Sequence, residues 1–144
     1  MNISNILVAY DGSEPAEKAL THAIDMAQHY PEAKLTVLTV YNLSPDIALD
    51  VALTVPVLEQ ESELLHLEQD LLKEARRRIQ ILPSAETVML EGSPGETIVN
   101  YAKDHSCDLI IAGSRGLGAL REFVLGSVSH FILKHSDVPL LVIK

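Results

Sequence analysis

The chain has 144 residues, 47% apolar but only 4% aromatic, and a net charge of −9. That is the length of one domain, residues 1–144, which would bury about 68–70% of its unfolded surface in an aliphatic core without needing disulfides or metals. The charge argues against nucleic acid and anionic membranes, since the whole-molecule field repels polyanions, yet a small anion can still be held by local dipoles.

Taken in chain order, residues 5–10 (NILVAY) are a continuous apolar run closed by Asp11-Gly12-Ser13, which predicts a short buried strand and a turn. The run follows no basic stretch and is broken by Asp11, so a signal peptide is not expected. From residue 14 to 30 the period is helical: Ala16, Leu20, Ala23, Ile24 and Ala27 share one face, and Pro31 stops it. His22, Asp25 and His29 share the other face. A metal there is conceivable, but the two histidines are two turns, roughly 10 Å, apart, which favours a solvated polar face.

Residues 34–41 (KLTVLTVY) predict a second strand. Residues 42–57, bracketed by Pro45 and Pro56, read as a short helix or an irregular connection. The longest helix is expected over 58–82, acidic at its start and ending in Arg76-Arg77-Arg78, a solvated end favoured by the helix dipole. A third strand is expected over 85–91. Ser93-Pro94-Gly95-Glu96 then reads as a capping box opening a helix that runs to about His105.

The lone Cys107 precedes an apolar strand, 108–112, and reads as a packed core thiol; Asp108 beside it opposes a reactive one. One cysteine and no run of 18 apolar residues predict a cytoplasmic protein with no membrane span. A last helix over 127–135 and a fifth strand over 138–143 complete a β-α-β-α-β-α-β-α-β order. Such alternation predicts an α/β fold with a parallel sheet covered by helices on both faces. Ligands of such sheets sit beyond the carboxyl ends of the strands, where Asp11-Gly12-Ser13 and a glycine-rich stretch from 112 to 129 both fall.

That stretch is neither of the two best-known phosphate loops. Ala119-Leu120 stand where a P-loop needs Lys-Ser/Thr, and Arg121 stands where a dinucleotide fingerprint needs glycine. What is present is Gly113-x-x-Gly116, nine residues, then Gly126-Ser127. Gly113 and Gly116 can take positive φ and admit a ligand close to the backbone. Gly126-Ser127 open a helix whose first N–H groups and dipole favour an anion. Ser127 can bond a phosphate oxygen or cap the helix, and Arg115 with Arg121 makes the segment locally basic. The plainer alternative is a loop with a glycine turn and a serine cap. For Asp11 the plainer alternative is a turn-former or the cap of the first helix.

The spacing G-x-x-G-x9-G-[ST] resembles the nucleotide signature of the ATP-binding branch of the universal stress protein family. The opening ILVAYDGSEPAEKAL and the segment CDLIIAGSRGLGALREFVLGSVSHFILKHSDVPLLVIK are similar to that family as well. The resemblance implies a Rossmann-like three-layer sandwich of the adenine nucleotide alpha hydrolase-like type, with strand order 3-2-1-4-5. It also implies ATP with Mg²⁺ between strands 1 and 4, and a homodimer. Gly113, Gly116, Gly126 and Ser127 would hold phosphates and ribose, with Arg115 in the same loop and Val128 adding a backbone N–H. Asp11 would reach the ribose or a phosphate-bound Mg²⁺, Ala9 and Val40 would flank adenine, and Ala112 would pack near the nucleotide. The apolar strand 138–143 would pair two copies.

The function expected from this is a stress-response protein regulated by bound adenine nucleotide, with at most slow ATP hydrolysis, since no residue stands out as a general base. An adenylating enzyme or ATPase on the same scaffold is the alternative. A phospho-receiver domain lacks its acidic pair after strand 1.

Overall fold

In the computed structural model, residues 1–42, 53, 57–115 and 125–144 are described. Along them run β1 (Asn5–Ala9), α1 (Glu14–His29), β2 (Lys34–Tyr41), α2 (Val57–Ile79), β3 (Ala85–Glu91), α3 (Pro94–Asp104), β4 (Leu109–Gly113), α4 (Ser127–His135) and β5 (Leu140–Ile143). The expected connection over 42–57 lies almost wholly outside the described residues.

The strands form one parallel sheet in the order β3-β2-β1-β4-β5, as expected. The chain builds outward from β1 to β3, then returns to the other side of β1 as β4. The switch point therefore lies between the carboxyl ends of β1 and β4. Register is continuous across this centre: Leu7 stands opposite Thr36 on β2 and Ile110 on β4.

The unbroken apolar runs of the central strands follow from burial on both faces. Ile6 and Val8 face α1 and α2, packing with Leu20, Ala23, Leu72 and Ala75. Leu7 faces the other way, with Leu38, Ile98, Ala102, Ile110 and Ile132 under α3 and α4. Each fully buried leucine or isoleucine here contributes about 1.5–3 kcal/mol.

Local signals explain most element ends. Ser13 caps α1, its hydroxyl accepting the Ala16 N–H at 3.3 Å, with Pro15 in the first turn. Ser93 occupies the cap position of α3 and its carbonyl accepts the Thr97 N–H at 2.9 Å. Its side chain makes no capping bond, so the predicted capping box does not form. The preceding Gly92 holds φ at +155°, and the Thr97 hydroxyl fills the space where a Cβ would stand. β5 begins at Leu140 instead of Val138, because Ser136 Oγ takes the Val138 N–H at 3.0 Å and Pro139 has no N–H to give the ladder.

Candidate functional site at the carboxyl edge of the sheet

After β1 the chain turns sharply. Gly12 takes φ +79°, a left-handed conformation that disfavours any side chain, and a Cβ there would also meet Leu71 at 2.8 Å. Asp11 Oδ1 accepts the Ser13 N–H at 2.9 Å, closing a tight local turn. The cap of α1 is Ser13, so Asp11 is a turn-former and not the helix cap.

The residue before this turn is fixed from several directions. The Tyr10 N–H donates to the Leu38 carbonyl at 2.9 Å, and Thr39 Oγ1 donates to the Tyr10 carbonyl at 2.8 Å. The Tyr10 ring is buried and its hydroxyl donates to Glu17 Oε1. Burial, then this bond to a carboxylate, pushes the phenol well above its ordinary range. Glu17 Oε2 accepts from Arg78 Nη1 at 2.8 Å, and Arg78 Nη2 donates to Thr21 Oγ1 at 2.6 Å.

On the other side of the switch point, β4 runs out through Ala112 and Gly113 to Ser114. The Ser114 N–H donates to the Ile143 carbonyl at 2.7 Å, and the Ser114 carbonyl accepts the Gly126 N–H at 2.5 Å. Ser129 Oγ, buried, lies 3.2 Å from the carbonyl oxygens of both Ser114 and Gly126. Residues 114 and 126 are thus joined at the base of the glycine-rich segment. Gly116 and Arg121 lie outside the described residues.

Gly113 differs from the expectation for it. It stays in ordinary strand conformation, and the positive-φ glycines among the described residues are Gly12 and Gly92. What position 113 requires is space: a Cβ would stand 2.7 Å from Pro15 Cβ and 2.8 Å from its carbonyl carbon. Glycine there lets the first turn of α1 lie directly on the end of β4.

Gly126 is the cap residue of α4, with φ −73° and ψ 169°. It has no side chain with which to cap the first turn. The serine-cap alternative therefore falls: Ser127 is already inside the helix and exposed. The first N–H groups of α4, at Ser127, Val128 and Ser129, precede the first helical bond, from the His130 N–H to the Gly126 carbonyl. They concentrate the positive end of the helix dipole at the switch point. The contrast with α1 is chemical: a serine hydroxyl caps its first turn, whereas the cap residue of α4 has no side chain.

Three of the other predicted positions gather on the α3/α4 side of the sheet. Ala9, Val40 and Val128 are half-buried and pack against one core cluster. Ala112, one step from Gly113, is buried, and Arg115 is exposed just beyond it. One expectation changes. Arg76-Arg77-Arg78 is not simply a solvated end: Arg77 is 69% exposed and pairs with Glu74, but Arg78 is 23% exposed and pairs with Glu17. Arg76 Nε donates to Thr87 Oγ1 at 3.1 Å. His22, Asp25 and His29 are exposed, the imidazoles turned onto the Lys18 and Asp25 carbonyls, and no group able to hold a metal occurs among the described residues. Thr39 and Glu17 were not singled out in the sequence, and Arg78 only as part of the Arg76-Arg77-Arg78 run. Their only signals were a hydroxyl within an apolar strand and a cation in a run of three.

Comparison with known proteins places the family and the fold. The model of the universal stress protein family matches residues 2–144. The universal stress protein YxiE of Bacillus subtilis is 32% identical over 149 aligned positions, covering 98% of this chain and 99% of that protein. Universal stress protein UspA of Lactobacillus plantarum superposes with a TM-score of 0.79 at 33% identity, covering 100% of this chain and 99% of that one. The structure of hypothetical protein MJ0577 superposes with a TM-score of 0.84 at 28% identity, covering 100% and 97%. At 24% identity the fold is also shared, TM-score 0.69 with coverage of 99% and 98%, with a universal stress protein in complex with cAMP. At 21% identity it is shared, TM-score 0.62 with full coverage of both chains, with one from Archaeoglobus fulgidus in complex with dAMP.

Proposed function

The chain belongs to the universal stress protein family, and we propose that within it this protein binds an adenine nucleotide, ATP with Mg²⁺, and responds to stress through the nucleotide-bound state. The observation that carries the reading is the open start of α4. Gly126 offers the first-turn N–H groups no side-chain cap of its own, at a base pinned to β4 and across the switch point from Asp11. Complexes of other family members with cAMP and dAMP support an adenine nucleotide as the ligand class.

In this reading Gly113, Gly116, Gly126 and Ser127 line the phosphates and ribose, with Arg115 adding positive charge and Val128 a backbone N–H. Asp11 takes the ribose hydroxyls or the phosphate-bound Mg²⁺. Ala9 and Val40 flank the base, and Ala112 packs beneath the nucleotide. The donor set suits phosphate: backbone N–H groups and a helix dipole need no counter-charge from the chain. Mg²⁺ would be held through the phosphates with few protein ligands, as that ion prefers. ATP then acts as a bound ligand, hydrolysed slowly if at all.

The whole chain is read as one such domain, and a homodimer through residues 138–143 is part of the proposal. β5 supports it: a sheet edge whose Leu140, Leu141 and Val142 are half-buried in the single chain. A cytoplasmic location suits the single unpaired thiol. No helix among the described residues is long and apolar enough to cross a membrane.

Isothermal calorimetry with ATP and Mg²⁺ tests the reading. Wild type is expected to bind, and Gly126→Val to bind at least about tenfold more weakly, because a β-branched side chain would crowd the approach to the first-turn donors. Gly116→Val is expected to act in the same direction. Absence of wild-type binding at millimolar ATP would overturn it.

A further inference from the structure

The carbonyl of Tyr10 and the ring of Tyr10 are each held by a group that the fold alone does not require. β1 ends at Ala9, one residue earlier. Beyond it, the Tyr10 N–H still reaches the Leu38 carbonyl, but its own carbonyl is taken by a side chain, Thr39 Oγ1 at 2.8 Å. Thr39 is 2% exposed, so its hydroxyl is a polar group buried within β2 and satisfied there. The Tyr10 hydroxyl is likewise spent inside the protein, on Glu17, which Arg78 holds from α2 while also bonding Thr21 on α1. Four elements, β1, β2, α1 and α2, thus converge on the residue immediately before Asp11. From there the turn is preset: Gly12 at φ +79° and Asp11 Oδ1 on the Ser13 N–H.

A half-buried ion pair and a buried tyrosine hydroxyl are an indirect way to gain stability, because apolar residues of equal volume often serve as well or better. Directional bonds do fix orientation, which apolar packing does less well. We propose that Thr39 and the Tyr10 hydroxyl, the latter braced by Glu17 and Arg78, are positioning groups that hold the Asp11 carboxylate in its binding orientation before any ligand arrives. The proposal rests on the nucleotide reading for what Asp11 binds. The brace determines how much ordering is left to be done at binding, and ordering left undone appears as lost affinity.

The decisive variants are Thr39→Val, which keeps shape and removes the hydroxyl, and Thr39→Ser, which restores it. Tyr10→Phe removes the other hydroxyl and leaves Glu17 paired with Arg78. Calorimetry with MgATP is expected to show Thr39→Val and Tyr10→Phe each binding about fivefold to tenfold more weakly, the value of one net hydrogen bond. Thr39→Ser is expected to stay within about twofold of wild type. In an Asp11→Asn background the Thr39→Val effect should shrink below about twofold, since the two act through one carboxylate. Wild-type affinity in Thr39→Val and Tyr10→Phe, or an undiminished Thr39→Val loss on Asp11→Asn, overturns the proposal. If wild type binds no MgATP, the nucleotide reading fails, and amide hydrogen exchange decides the brace by itself. Faster exchange at Gly12 and Ser13 in Thr39→Val, but not in Thr39→Ser, upholds it; unchanged exchange overturns it.

Discussion

Asp108 shows how a single side chain ties the fold at the end of the sheet opposite the site. Its Oδ2 accepts the Ser4 N–H, the Ser4 hydroxyl and the Asn5 N–H, each at 2.9 Å, while its own N–H donates to the Asn5 carbonyl. The Ser4 N–H first, then the Ser4 hydroxyl and the Asn5 N–H, hold the carboxyl below its ordinary 3.8. A depressed carboxyl stabilises the fold above its unfolded pKa, and that contribution is lost as pH falls through the lower, folded value. Asp108→Asn should therefore cost about 1 kcal/mol in urea unfolding at pH 7, a modest figure because the group is partly exposed. The gap from wild type should narrow as pH drops below about 4. A gap independent of pH would show that charge is not what the three donors recognise. The neighbouring Cys107 behaves as its sequence suggests: burial first, and Asp108 second, push its thiol up to about 11. That much was legible because an apolar run and an adjacent carboxylate are local facts. The reason for Gly113 was not, because Pro15 lies 98 positions away in the chain.

At the scale of elements, the periods that distinguish strand from helix are strong here, and each predicted strand and helix from 5 to 41 and from 85 onward corresponds to an observed one. Ends were less legible, since an end depends on which of several bonds the backbone takes. Ser13 and Ser93 illustrate it. Both precede a helix, yet only Ser13 turns its hydroxyl onto the helix. Ser13→Ala should therefore cost about 1 kcal/mol in equilibrium unfolding, as the loss of a working cap does, whereas Ser93→Ala should lie within about 0.5 kcal/mol of wild type. Equal costs would mean that Ser93 caps α3 in solution. The start of α4 stands apart from both, with a glycine where a capping side chain would be. That a last helix starts at Gly126-Ser127 was legible, because a glycine-serine pair opening an apolar helix is visible without knowing what it packs against. α3 and α4 also meet closely: a Cβ at Gly95 would lie 2.7 Å from the Phe131 ring. The position of α4, and of its open start, is thus set partly by a neighbour no motif contains.

For the whole molecule, parallel order and the switch point followed from the alternation of elements, and the strand order from family resemblance; both are observed. The contacts that join distant segments, such as Glu17 with Arg78, could not be read in advance, because pairing 61 positions apart depends on the finished fold. Charge also acts at this scale. A net −9 leaves the open start of α4 as a local exception in a repulsive field, so raising salt should not abolish ATP binding as it would for a basic polyanion-binding surface. The edge strand β5 carries the oligomeric prediction: light scattering at micromolar protein should give twice the 15.8 kDa chain mass. Val142→Lys, which puts charge on that edge, should shift the protein toward the monomer. A monomeric wild type would remove the dimer from the proposal.

The bond between Ser114 and Gly126 has one more consequence. It brings the two ends of residues 115–125 together at their root. With the ends held this way, chain-closure entropy rises by only about 0.6 kcal/mol for each doubling of the number of residues between them, little against the stability of a whole domain. Under the proposed function, changes of length or composition within 115–125 would then bear on the ligand more than on how the rest of the chain folds.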